Sequence, residues 1–189
     1  QSVSGAGRGA LDELERGVRA GLDGPPPGRA DGGPPFAFNV VPQIDRFEEN
    51  GYSREEMKVV WETRKILGLP GLPVTATAVR VPVRVGHSAS VNVTLGRVLE
   101  PDEARALWVS TPGLLVVDDP ARGRYPTPLA AEGRDQVLVG RARRDLSQPQ
   151  GLEFFVASDN LRKGAATNAI QIAERLIAAP GGVRPVGAL

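Results

Sequence analysis

Apolar side chains recur at helical spacing within residues 1–22, after a Gly-rich turn, and within residues 164–179. Intervals of three or four residues are typical of one helix face. A helix is also predicted at residues 101–110, because that stretch begins with a proline and acidic residues, which favour a helix start. The first stripe consists of Leu11, Leu14, Val18 and Leu22. The last consists of Ala166, Ile170, Ala173 and Ile177, with Ile172 and Leu176 beside them. Because a stripe of this kind needs a partner surface, each predicts a helix packed on another element.

Residues 53–68 predict a further helix whose two ends can be read directly. Ser53 and Glu56 have the spacing of a capping box, in which each side chain bonds the other's backbone N–H. Gly68 and Pro70 are typical of a helix end. The side chains expected to face a core are Met57, Val60 and Trp61.

Other stretches alternate or concentrate apolar residues in the way that strands do. Period-two alternation and β-branched side chains favour extended pairing over helix. The predicted strands cover residues 36–44, 74–86, 87–95, 113–120, 136–146 and 151–160. Proline and glycine make residues 23–35 a loop, for which a linker between two domains is the alternative interpretation.

These elements form strands with interspersed helices, several of them joined as hairpins. We therefore predict an α+β fold, with a mixed, largely antiparallel sheet and helices packed on one face. Internal repeats are not apparent.

Composition narrows the function classes. The 189 residues carry a formal net charge of +1, which argues against a nucleic-acid surface built on bulk charge. No run of 18 apolar residues is present, so a membrane span is not expected. Cysteine is absent and histidine occurs once, which excludes disulfides and a cysteine nucleophile within this chain and makes a zinc site improbable.

The single histidine, His87, follows Arg80 by seven residues. On an unbroken strand an odd separation would point the two side chains to opposite faces. Gly86 permits a bend or bulge that would re-aim His87. Glu62 and Lys65 lie three residues apart on a predicted helix, so their side chains project from neighbouring positions. They could serve a functional site, and the alternative interpretation is a solvated ion pair. From the residues alone, the chain is an α+β domain with a possible Arg/His site.

Four segments together resemble bacterial aspartate-semialdehyde dehydrogenases. They are "QSVSGAG", "FNVVPQIDRFEENGYSREEMKVVWETRKIL", "RVPVRVGHSASVNV" and "DNLRKGAATNAIQIAE", and they follow the order found in that family. The resemblance is to the C-terminal catalytic and dimerisation portion, similar in fold to the C-terminal domain of glyceraldehyde phosphate dehydrogenase-type enzymes. It implies a catalytic and dimerisation domain at residues 1–162 and a C-terminal helix at residues 163–189 that packs on an NADP-binding domain.

The resemblance also implies a reaction and a role for each candidate residue. The family converts β-aspartyl phosphate and NADPH to aspartate semialdehyde, NADP and phosphate, in lysine, methionine, threonine and diaminopimelate biosynthesis. His87 resembles its general acid/base, for which imidazole suits because its unperturbed pKa is near neutrality. The substrate-binding residues by resemblance are Gln1, Glu62 and Arg80, and Lys65 is the phosphate-binding one. The cofactor-binding residues by resemblance are Ser4, Gly5 and Asn160, although the "SDN" that contains Asn160 could equally be a helix cap.

In the family the nucleophile is a cysteine that precedes the glutamine matching Gln1, and the NADP-binding domain is N-terminal. Neither lies in this sequence. The resemblance therefore implies that this chain alone is inactive, that it forms a homodimer or homotetramer in the cytoplasm, and that it binds a small-molecule substrate. It implies neither a nucleic-acid nor a membrane partner.

Two alternatives stay open at this point. The chain could be a non-catalytic dimerisation or small-anion-binding module. Within the enzymes, a reductase of N-acetylglutamyl phosphate is the second candidate, but it would not be expected to combine "VVWETRKIL" with "RVPVRVGHS".

Overall fold

The computed structural model describes residues 1–178 of the chain. These residues divide into two compact units, of which the first spans Gln1–Arg84 and the second begins at Val85. The loop at residues 23–35 is present as predicted. It lies inside the first unit, so the alternative interpretation of this loop as a linker between domains is wrong.

The first unit contains two helices, α1 (Arg8–Ala20) and α2 (Arg54–Leu67), and a short 3₁₀ turn over Val3–Ala6. The apolar face of α1 packs into a core of Val3, Leu14, Phe36 and Ala37, with Ala10 and Leu11 against it. Because α1 ends at Ala20, Leu22 lies beyond the helix and is 76% exposed. The predicted stripe is therefore confirmed over its first half only.

Helix α2 begins at the predicted capping box. The Ser53 N–H donates to Glu56 Oε2 at 2.7 Å, and the Glu56 N–H donates to Ser53 Oγ at 3.4 Å. The helix ends at Gly68, whose φ of 66° lies in the left-handed region that favours glycine. Val60 is buried as expected, but Trp61 does not face a core, since it is 43% exposed and lies beside the Arg54 guanidinium.

The strands predicted at residues 36–44 and 74–86 do not form. Val41 and Arg80 pair as an isolated antiparallel bridge, with N–H to O distances of 2.9 and 2.8 Å, and the flanking residues form no ladder. Phe38 adopts a φ of 54°, which turns the first segment. In the second, Pro82 has no N–H, and the Val83 N–H turns back to the Val81 carbonyl at 2.7 Å. In the second segment the side chains of residues 74–78 and 81–84 alternate between partly buried and exposed, although no strand forms.

The second unit is built on a four-stranded sheet in the order β1-β4-β3-β2. Its strands are β1 (His87–Thr94), β2 (Leu114–Val116), β3 (Val137–Arg144) and β4 (Gly151–Ser158). β1 and β3 both run antiparallel to β4, whereas β2 runs parallel to β3. The predicted α+β class and the mixed, largely antiparallel sheet are therefore confirmed.

Helices α3 (Pro101–Val109) and α4 (Pro128–Ala131) pack on this sheet. The ring of Trp108 in α3 lies 5.2 Å from that of Phe154 in β4, centroid to centroid. Ala131, at the end of α4, closes a buried cluster with the cross-strand pair Leu138 and Ala157. The one-turn α4 lies within residues 124–135, a segment for which the sequence predicts no regular element.

A bulge in β3 is held by a buried carboxylate. The register against β4 shifts between Gly140 and Arg143. Arg141 adopts a φ of 57°, which is unfavourable for a residue with a side chain. The Asp118 side chain, only 1% exposed, accepts the N–H groups of Arg141 and Ala142 at 2.7 and 3.1 Å and the Arg105 Nε at 2.6 Å. These bonds offset the strain at Arg141.

The described part of the chain ends in α5 (Thr167–Ala178), preceded by a π-helical turn over Arg162–Ala166 that is broken at Ala165. The helix therefore starts later than residue 164, where the stripe places it. No residue of α5 is buried, and its four large aliphatic side chains are more than half exposed. Residues 179–189 of the predicted C-terminal segment lie outside the described residues.

Within residues 1–178, no helix is both long enough and apolar enough to cross a bilayer.

Candidate active site

Arg80 is one of two buried residues among the predicted site residues, the other being Ser4. Its main chain is fixed by the bridge to Val41, and its Nη1 donates to the Ser2 carbonyl at 2.7 Å. The residue is 7% exposed. Burial lowers the pKa of the Arg80 guanidinium, the charge of Glu55 acts to raise it, and the charge of Arg29 lowers it further. An arginine keeps its proton under all ordinary conditions, so Arg80 is a buried and permanently charged cation.

Gln1 lies alongside the segment that carries Arg80. Its backbone nitrogen donates to the Val79 carbonyl at 2.6 Å, and its carbonyl accepts the Val81 N–H at 3.0 Å. The side-chain Nε2 donates to Glu55 Oε1 at 2.6 Å. Gln1 thus bonds the backbone on both sides of Arg80, which brings two of the predicted substrate ligands together.

Ser4 and Gly5, the predicted cofactor contacts of the first unit, lie in the turn Val3–Ala6. Ser4 is buried, and its N–H donates to the Arg84 carbonyl at 2.9 Å. Gly5 is exposed. A flat aromatic ring can approach an exposed turn residue without a Cβ closely, so this turn fits the predicted role.

Glu62 and Lys65 lie one turn apart on α2, and both are exposed. Among the described residues the two side chains do not form the ion pair that their spacing allows. Glu55 lies on the same face two turns earlier and was not predicted, although its spacing of seven residues from Glu62 is a signal that could have found it.

His87, in the second unit, is the first residue of β1 and pairs with Ser158 of β4. The residue before it makes the bend that the sequence allows, because Gly86 has a φ of 95°. Asn160 Oδ1 accepts the Gly86 N–H at 2.9 Å. On the other side, a Cβ at Gly86 would meet the Pro128 carbonyl oxygen at 2.8 Å. His87 therefore starts its strand from a position fixed on two sides.

The "SDN" segment holds two different parts of the backbone, one through Asp159 and the other through Asn160. Asp159, only 4% exposed, accepts the N–H groups of Gly133 and Leu161 at 2.8 and 2.9 Å. It acts as a cap for the turn that leads to α5, while Asn160 holds Gly86. The sequence predicted a cap or a cofactor contact at this segment, and the bond to Gly86 was not anticipated.

Two depressions are lined by none of these predicted site residues. One of about 140 Å³ in the first unit is lined by Glu13, Arg16 and Arg29 among others. A more open one of about 450 Å³ in the second unit is lined by Lys163, Gln171 and Arg175 among others. Within residues 1–178, no group of three or more histidine, aspartate and glutamate side chains is placed to hold a metal ion.

A family model described as "Semialdehyde dehydrogenase, dimerisation domain" matches residues 1–163. The chain belongs to this family of semialdehyde dehydrogenase dimerisation domains. It is 51% identical over 177 residues to the aspartate-semialdehyde dehydrogenase of Legionella pneumophila, a match that covers 93% of this chain and 51% of that protein. The chain thus spans about half the length of the curated relatives it matches.

Solved structures of the same class resemble the fold. Aspartate semialdehyde dehydrogenase II of Vibrio cholerae, in complex with ASA, superposes with a TM-score of 0.87 at 44% identity, covering 94% of this chain and 52% of that one. The Candida albicans enzyme with NADP gives a TM-score of 0.55 at 26% identity, covering 73% and 44%. These likenesses confirm the predicted resemblance to the C-terminal portion of such enzymes.

Proposed function

We propose that this chain supplies the substrate-binding and acid/base half of an NADP-dependent aspartate-semialdehyde dehydrogenase, which interconverts β-aspartyl phosphate and aspartate semialdehyde. The observation that carries the proposal is the 51% identity to the Legionella pneumophila enzyme over 93% of this chain. The geometry of Arg80 supports it, because a buried cation with a fixed backbone suits a small carboxylate ligand.

Binding of the substrate is assigned to residues of the first unit. Arg80 bonds the α-carboxylate through its planar guanidinium, and Gln1 orients the same end of the molecule. Glu62 holds the ammonium group, and Lys65 binds the phosphate. The exposure of Glu62 and Lys65 on one face of α2 supports roles toward a ligand.

Proton transfer is assigned to His87. Its imidazole takes a proton from the nucleophile and later delivers one to the developing oxygen of the substrate. Support comes from the bend at Gly86 and the bond from Gly86 to Asn160, which fix where the strand carrying His87 begins. The nucleophile is a cysteine in the related enzymes and lies outside this sequence.

The cofactor NADP, when bound, supplies or accepts the hydride. Ser4, Gly5 and Asn160 are the residues of this chain that we assign to its binding. The exposed, side-chain-free Gly5 fits a ring stacked on the backbone. We further propose that residues 1–162 form the catalytic and dimerisation domain, and that residues 163–189 pack on an NADP-binding domain. The exposed apolar side chains of α5 support that packing.

The test is a chimera in which this chain replaces the matching C-terminal half of the Legionella pneumophila enzyme. We expect NADP- and phosphate-dependent oxidation of aspartate semialdehyde. Arg80→Ala should lower kcat/KM by about 10²-fold or more, mainly through KM, because a buried charge-pair contact is worth about 2–5 kcal/mol. His87→Ala should lower kcat by about 10²–10⁴-fold with KM nearly kept.

Arg84→Ala is the matched control for Arg80. It lies on the same extended segment, its side chain is 63% exposed, and it pairs with Glu15. Arg80→Lys distinguishes lost charge from lost geometry, and thermal unfolding of each variant shows that it is folded. A folded chimera without activity, or an Arg80→Ala variant that matches Arg84→Ala, would contradict the proposal.

A further inference from the structure

Glu55 is a carboxylate that connects two of the assigned substrate ligands. We propose that Glu55 is a positioning residue, which orients the Gln1 amide and balances the charge of Arg80 before substrate binds. The inference rests on the proposed function for the roles of Gln1 and Arg80.

The contact with Gln1 determines which way the amide points. A glutamine amide has a donor end and an acceptor end, whereas an ionised carboxylate only accepts. Because Glu55 Oε1 lies 2.6 Å from the Gln1 Nε2, the donor end is directed to Glu55 and the carbonyl end is directed elsewhere. Without Glu55 both rotations of the amide would be populated, and a substrate would have to select one of them.

The relation to Arg80 is electrostatic. Arg80 is almost fully buried, and of its guanidinium nitrogens Nη1 donates to the neutral Ser2 carbonyl. Burial of a cation costs free energy unless an anion is near. The negative charge of Glu55 stabilises the guanidinium, and the positive charge of Arg29 opposes it. Glu55 therefore offsets part of the cost of keeping an anion ligand enclosed.

Glu55 is itself held in place. It lies in the first turn of α2, where the helix dipole favours a negative charge. Its Oε2 pairs with the Lys58 Nζ at 3.2 Å, so each carboxylate oxygen has a defined partner. Glu62 and Lys65 lie on the same helix face. One rigid helix thus carries two assigned ligands and the residue that orients a third.

The first test is direct and does not depend on activity. In the full chain labelled with ¹⁵N-glutamine, the side-chain amide signals of Gln1 should shift in the Glu55→Gln variant, because the charged acceptor of the Gln1 amide is removed. The control is Glu15→Ala, a carboxylate change at the partly exposed pair with Arg84, which should leave the Gln1 signals unchanged.

The second test is a double-mutant cycle in the chimera. Glu55→Ala should raise KM for aspartate semialdehyde by about 10-fold, as expected for one hydrogen bond to a charged group. Glu55→Gln, which keeps an acceptor for the amide, should restore most of that loss. In a Gln1→Ala background Glu55→Ala should change KM by less than about twofold, since the side chain that it orients is gone.

The outcomes separate the two proposals. If the KM increases caused by Gln1→Ala and Glu55→Ala multiply fully in the double variant, Glu55 acts only on stability and the positioning role is overturned. The same holds if the Gln1 amide signals do not change in the Glu55→Gln variant. An inactive chimera, or a Gln1→Ala variant with normal KM, would instead count against the proposed function. The spectra of the full chain decide the Glu55 contact in either case.

Discussion

Gly86 offers a quantitative test of how the strand carrying His87 is fixed. A side chain at this position meets two separate penalties. The φ of 95° is unfavourable for any residue with a Cβ, and that Cβ would lie 2.8–2.9 Å from three atoms of Pro128. We therefore expect Gly86→Ala to destabilise the second unit by more than the backbone effect alone.

Gly113 is the matched control, because it has a φ of 85° and no heavy atom within 4 Å of a built Cβ. The backbone term is about 1–2 kcal/mol at either site. Overpacking against Pro128 adds about 1–3 kcal/mol at Gly86 only. The two variants should thus differ by about 1–3 kcal/mol, or roughly 2–12 °C in Tm for a chain of this size.

Urea and thermal unfolding followed by tryptophan fluorescence would measure the difference. A Trp61→Phe background leaves Trp108, which packs on Phe154 in the second unit, as the reporter. An alanine keeps the backbone N–H, but relief of the clash with Pro128 must move the backbone at this position and lengthen its bond to Asn160, so Asn160→Ala should cost less in the Gly86→Ala background than alone. Equal stability of Gly86→Ala and Gly113→Ala would refute the contact with Pro128 as a determinant.

Two further predictions concern carboxylates that hold backbone. Burial alone would raise the pKa of Asp118, but hydrogen bonds from Arg105 and from two backbone N–H groups of β3 bring it below its ordinary value. When the pKa of a carboxyl is lower in the folded state than in the unfolded state, its stabilisation is complete above the unfolded pKa and disappears as the pH falls through the folded pKa. Asp118→Asn should therefore lower the free energy of unfolding by about 1.5–3 kcal/mol near neutrality and by progressively less below about pH 4. Urea titrations at several pH values measure this cost. Backbone N–H donors of Ala78 and Ser53 likewise lower the pKa of Glu56, and Glu56→Gln should cost about 1 kcal/mol near neutrality with the same acid dependence. A cost that does not change with pH would contradict either assignment.

Local signals in the sequence were sufficient to place both ends of α2. The capping box at Ser53 and Glu56 and the left-handed Gly68 fix α2 through contacts within a few residues, so they can be read without knowing the fold. The two strands of the β3–β4 hairpin and β1 were predictable for a similar reason. In each of them apolar and polar residues alternate, and the strand is hydrogen-bonded to a neighbouring strand.

The candidate site was only partly predictable. Arg80 and His87 were found through resemblance, and Gly86 through its conformational freedom. Neither the bond from Gly86 to Asn160 nor the contact from Gln1 to Glu55 could be anticipated, because each joins residues more than 50 positions apart. Contacts at that separation leave no periodic pattern in the chain.

The sequence by itself therefore determined four of the five α-helices of the described residues, all but α4, and the α+β class. Short-range capping, periodicity and residue chemistry are sufficient for those features, whereas the candidate ligands were identified through resemblance. Tertiary structure alone decided that residues 36–44 and 74–86 are not strands, because a strand exists only where a partner supplies a regular ladder of hydrogen bonds, and these two segments meet only in the isolated bridge between Val41 and Arg80. It also decided that Arg80 is buried although its neighbours Pro82 and Arg84 are exposed, since burial depends on which distant segments pack over a residue.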